Sequence, residues 1–64
     1  MRIDRIKFAT ELVKQDMTQT RLAELSGVSR TTINSIKSGK SCSDKSIIMI
    51  AEALQVPIES LLEN

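Results

Sequence analysis

Large apolar residues in this chain recur mostly at three- and four-residue steps, and the first run shows it: Ile3, Ile6, Phe8, Ala9, Leu12 and Val13. That spacing predicts a helix from about Asp4 to Gln15, burying one stripe and turning Lys7, Glu11 and Lys14 to water. Asp16, which tolerates left-handed backbone, ends it. Thr18 puts a hydroxyl ahead of a second helix starting at Gln19, with Leu22, Ala23 and Leu25 as its inner face. Gly27 stops this helix, because glycine alone takes a positive φ cheaply where the chain must reverse at once. Val28 plugs the corner and Ser29 caps a third helix whose inner face is Ile33 and Ile36. Gly39 is expected to end that helix in the manner of Gly27. Beyond the polar loop Lys40 to Ser43, Ser43 or Asp44 caps a fourth helix. Its face, Ile47, Ile48, Ile50, Ala51 and Leu54, is the most apolar in the chain and central to the core. Pro57 sets the start of a last short helix, with Ile58, Leu61 and Leu62 facing inward or toward a partner. No stretch alternates long enough for a convincing strand, and there is no repeat or linker. The pattern is all-α, in one domain over residues 1–64.

Two short helices joined by a glycine-containing turn make a helix-turn-helix, here about residues 19–38. Counting from Gln19, the fifth residue, Ala23, is small enough for a crossing helix. The ninth, Gly27, bends. The tenth, fifteenth and eighteenth, Val28, Ile33 and Ile36, fill the angle between the helices. Ser29, Arg30, Thr31, Thr32, Asn34, Ser35, Lys37 and Ser38 are left pointing outward, with no burial to account for them. Ser, Thr and Asn compete with the backbone for hydrogen bonds, so this is a poor helix by propensity. The same groups suit base edges: Arg is bidentate to guanine and Asn to adenine, while Thr and Ser serve either.

Composition narrows the alternatives. The 64 residues lie near the lower limit at which packing alone holds a fold. One cysteine excludes an internal disulfide, and the absence of histidine excludes the usual Cys/His zinc site. Cys42 reads as a partly buried small residue and not a redox sensor. With no paired carboxylates in an evident cleft, no catalytic group can be nominated; the chain is not expected to be an enzyme, to hold a cofactor or metal, or to bind a small-molecule ligand. Met1 is followed by charged residues, without the apolar run of a signal peptide or membrane span, so a soluble cytoplasmic protein is expected. The net charge of +1 hides an asymmetry: residues 1 to 45 hold all nine Lys and Arg against five acids, and the remainder hold only Glu52, Glu59 and Glu63. A basic part that could meet a polyanion is thus followed by an acidic end. Arg2, Arg5 and Lys7 are either a basic arm or plain helix-surface charge, and Lys45 adds to the cations near the third helix.

Gln19 to Lys40, followed by "IAEALQVPIESLL", resembles the phage lambda repressor and Cro-like (XRE-type) helix-turn-helix family over nearly the whole chain. The resemblance implies a compact five-helix bundle with the third helix in the major groove of double-stranded DNA. It assigns base contacts to Arg30, Thr31, Asn34 and Ser35. It assigns the phosphate clamp to Gln19, with backbone contacts from Ser38 and Lys40; Thr18, Ser29 and Lys37 join the phosphate set, and Thr32 either supports the helix or touches phosphate. Many members pair an Arg on the first helix with an acid near the end of the third. Leu12 and Lys37 stand there instead, which predicts apolar contact between those helices and frees Lys37 for phosphate. The family's usual glycine after the fourth helix is Gln55.

The expected function is a small sequence-specific regulator, a repressor covering an operator as a homodimer on an inverted repeat, with Ile58, Leu61 and Leu62 as candidate dimer contacts. The rival is a helical protein-interaction module, antitoxin-like or an accessory factor, that keeps the fold.

Overall fold

Asp4 sets the start of the first helix. Its backbone is extended and its carboxylate accepts from the amides of Ile6 at 2.8 Å and Lys7 at 3.2 Å, leaving Arg5 as the first helical residue. In this computed structural model, which describes residues 2–63, the elements run α1 (Arg5–Lys14), α2 (Gln19–Ser26), α3 (Arg30–Lys37) and α4 (Asp44–Leu54), then one 3₁₀ turn at Ile58–Ser60. The later caps fall on hydroxyls: Thr18 accepts from the Arg21 amide, Ser29 from Thr32 and Ser43 from Ser46. Ser43 is therefore the cap of α4, and Asp44 its first residue.

Four corners take left-handed backbone: Asp16 at φ 51, Gly27 at 76, Gly39 at 90 and Gln55 at 58. At Gly27 the amide returns to the Ala23 carbonyl. The other three close with paired bonds. Asp16 and Met17 donate to Val13 and Leu12, Gly39 and Lys40 to Ile36 and Ser35, and Gln55 and Val56 to Glu52 and Ala51. Gly39 thus does not end its helix as Gly27 does, since Ser38 intervenes as the last αR residue. Gln55 keeps the corner where the family has glycine.

α2 packs on α3 and α4, α1 on α3, and the 3₁₀ turn on α4. The core between them is Ile3, Phe8, Leu22, Val28, Ile33, Ile36, Ile47, Ile50, Ala51, Leu54 and Leu61, and no polar or charged residue among the described ones is buried. Leu12 packs against this core, so α1 and α3 meet through apolar contact.

Several expectations are corrected. Ile3, counted with the apolar run of the first helix, lies just ahead of it and forms an antiparallel bridge with Leu62, flanked by hydrogen bonds from the Asp4 amide to the Leu61 carbonyl (2.7 Å) and from the Glu63 amide to the Arg2 carbonyl (3.0 Å). The apolar residues of α1 do not share one stripe. Ile6 and Phe8 are two positions apart and point to opposite sides of a helix. Phe8 is fully buried, whereas Ile6 and Val13 stay 69% and 80% exposed. Lys7 and Glu11, expected in water, are half-buried on the inner side. Leu25 and Ile48 are likewise exposed rather than inner-face residues. The fifth helix is only the 3₁₀ turn, because extended Pro57 and the bridge at Leu62 leave no room for more. Leu61 has no accessible surface and cannot be a dimer contact in this fold; Ile58 and Leu62 remain half-buried against the core.

Candidate nucleic-acid interface

The outer face of α3 follows from its inner one. Ile33 and Ile36 are fully buried, which fixes the rotation of the helix about its axis. Arg30, Thr31, Asn34, Lys37 and Ser38 are then exposed, and Ser35 is half-buried at the edge. Residues three and four apart are neighbours on a helix surface, so Arg30, Asn34 and Ser38 make one ridge and Thr31, Asn34 and Lys37 a second. Arg30 and Lys37 make no ion pair among the described residues. Their charges are uncommitted.

The N-terminus of α3 is held by its own residues. Ser29 accepts from the Thr32 amide at 3.2 Å and donates its hydroxyl proton to the Thr32 hydroxyl oxygen at 3.0 Å. This cap satisfies one donor of the first turn and leaves the Arg30 and Thr31 side chains free of it. It also occupies Ser29 and half-buried Thr32 with each other. At the head of α2, Thr18 accepts from Arg21 at 3.1 Å, leaving the amides of Gln19 and Thr20 at the end of the helix. Free amides and the positive end of the helix dipole there suit an anion. Gln19 is half-buried and Thr18 exposed. Beyond α3, Ser38 and Lys40 flank the Gly39 corner, both exposed.

The N-terminal cations are not a loose arm. The Arg2 guanidinium donates to the Gly39 carbonyl and pairs with Glu63 at 3.5 Å, and the Lys7 ammonium donates to the Leu62 carbonyl at 2.9 Å. Arg2 thereby fastens the corner after α3, a role without a sequence signal because its partners are remote. Burial pushes the Cys42 thiol up from its ordinary value, with a smaller contribution in the same direction from the Asp44 carboxylate. Among the described residues no cluster of potential metal ligands occurs, and no helix is long and apolar enough to cross a membrane.

A buried-backed polar helix, set by a glycine turn against another of equal length, defines the helix-turn-helix class of DNA-binding proteins. A family profile described as helix-turn-helix matches residues 9–61, and the chain belongs to this XRE, lambda repressor-like family of DNA-binding regulators. Among solved structures it is similar to a chain of a hydroxyethylphosphonate dioxygenase point mutant, at 25% identity and a TM-score of 0.89; the match covers 100% of this chain and 14% of that one. A search of curated proteins gives no match. The family is one of DNA-binding regulators and not of enzymes, although that structural neighbour, of which this chain spans 14%, is named as an enzyme.

Proposed function

We propose that this protein is a transcriptional repressor that occupies a specific operator as a homodimer. In this reading α3 enters the major groove. Arg30 and Asn34 make the discriminating base contacts, Thr31 and Ser35 add to them, and Gln19 with the amides at the head of α2 grips phosphate. Thr18, Lys37, Ser38 and Lys40 hold the backbone on either side, and Ser29 and Thr32 reach it only from within their shared cap. The observation that carries the reading is the solvent-facing Arg30, Thr31 and Asn34 set directly over the fully buried Ile33 and Ile36. Among the described residues these side chains have no hydrogen-bond or ion-pair partner.

One module makes few base contacts, so two half-sites about 34 Å apart supply the specificity. Half-buried Ile58 and Leu62 are what is left of the expected dimer seam once Leu61 is assigned to the core. Selection of bound sites from random duplex DNA, followed by footprinting, tests this directly. An inverted repeat protected on one face is expected. Recovery of no preferred sequence would refute base reading, and protection of a lone half-site would refute the dimer.

The rival, an antitoxin-like or accessory protein-interaction module, has the likeness to a fold that is 14% of an enzyme chain in its favour. It predicts binding that is sensitive to changes at Ile58 or Leu61 and little affected by Arg30→Ala, whereas DNA binding falls with Arg30→Ala and weakens steeply with added salt.

A further inference from the structure

The fold leaves bare an apolar face on α1 that its composition would have sent inward. Ile6, Ala9, Thr10 and Val13 recur at three- and four-residue steps and so lie along one side of the helix. Ile6 and Val13 are 69% and 80% exposed. As β-branched residues they also give the helix no help by propensity. Single exposed apolar side chains are ordinary on protein surfaces, but here they line a shallow groove of about 550 Å³. Its remaining walls are Arg5 and Lys14 from α1 and Lys37 from α3, and no carboxylate lines it. Lys14 reaches Glu11 at 3.6 Å, while Arg5 and Lys37 make no ion pair among the described residues.

We infer that this face docks an acidic amphipathic helix of a partner protein. An apolar strip with period 3.6 accepts the apolar ridge of another helix, with anchors at i, i+3 or i+4, and i+7 seated between Ile6, Ala9 and Val13. The three cations around it select carboxylates on the flanks of that ridge. A second copy of this chain is the wrong occupant. A two-fold contact through this face would gather two sets of Arg5, Lys14 and Lys37 at one interface with no lining carboxylate to offset them, and like charges brought together across an interface are unfavourable. Nucleic acid is wrong as well, since Ile6 and Val13 offer nothing to phosphate. Arg30, Thr31 and Asn34 do not line the groove, so the site stands whether or not α3 reads DNA, but Lys37, placed in the phosphate set above, is shared, and operator and partner would compete for that one cation.

The test uses the full chain, ¹⁵N-labelled, titrated with two synthetic amphipathic peptides of about four turns that share one Leu/Ile ridge, the first flanked by Glu and the second by Lys. The Glu peptide is expected to bind about tenfold or more tightly than the Lys peptide, with amide shifts concentrated on α1 and around Lys37. The double variant Ile6→Ser, Val13→Ser should weaken the Glu peptide about tenfold or more while leaving the melting temperature nearly unchanged, because both side chains are exposed. Lys14→Gln should narrow the preference between the peptides. Equal affinity for the two, no binding of either, shifts away from α1, or retention of binding by the double variant each overturns the assignment. So does self-association that perturbs Val13 without peptide.

Discussion

Gln55 holds φ 58 and ψ 42 at the end of α4, and its replacement by glycine should stabilise the protein. A non-glycine residue in left-handed backbone costs roughly 1–2 kcal/mol, from the approach of Cβ to the following carbonyl. Glycine removes that cost but gains about 0.4–1 kcal/mol of freedom in the unfolded chain. The Gln55 side chain is exposed and makes no hydrogen bond among the described residues. Nothing else is lost, and the net gain is about 0.5–1 kcal/mol, or about 2–8 °C in Tm for a domain of this size. Urea unfolding followed by far-ultraviolet circular dichroism, with a thermal scan beside it, measures both quantities. Gln55→Ala is the control: it keeps the strained backbone and should stay within about 0.5 kcal/mol of the parent. Gly27→Ala should move the other way by a similar net amount, about 0.5–1 kcal/mol, since alanine takes on the left-handed cost but gives up freedom in the unfolded chain. Its φ is 76, and the new Cβ would meet the Met49 methyl only at an ordinary 3.5 Å, so the backbone alone accounts for the loss. If Gln55→Gly fails to stabilise, or Gln55→Ala stabilises equally, strain at this corner is not what the backbone angle suggests.

Arg30→Ala and Asn34→Ala should each cost about 1–3 kcal/mol in operator affinity and relax preference at one base position, with an unchanged melt, by gel shift and site selection. Lys40→Ala should instead weaken binding to all sequences alike and lower the salt slope by about one. Ser29→Ala removes the oxygen that caps α3 and should destabilise the fold by about 1 kcal/mol in urea unfolding, with DNA binding reduced beyond that of the capped helix. Because burial raises the Cys42 pKa, less thiolate exists at pH 8 in the folded protein than in the unfolded one, and disulfide reagents should label it more slowly before urea is added than after.

The helix-turn-helix was legible because its constraints are local. Gly27 and its left-handed turn, the Thr18 and Ser29 hydroxyls, and the Ile33 and Ile36 stripe all act within a few residues of one another. The N-terminal region was not, because its fate is decided by remote partners. Ile3 fits a helical run by spacing, yet the Asp4 cap excludes it from the helix and Leu62 claims it from the other end of the chain. On α1 the apolar residues support two different stripes, and contact with α3 selects the one holding Phe8 and Leu12 over the one holding Ile6 and Val13. Likewise nothing in the order of Ile58, Leu61 and Leu62 says that the middle one would be consumed by the core.

The Ile3 bridge to Leu62 brings the first and last described segments side by side. Tension applied at both ends would therefore part their rungs one after another, like a zip, and the unit should give way at low force despite its tight interior. The same geometry lets a host protein carry it as a bead in a loop, entering and leaving at one spot without prying the loop open.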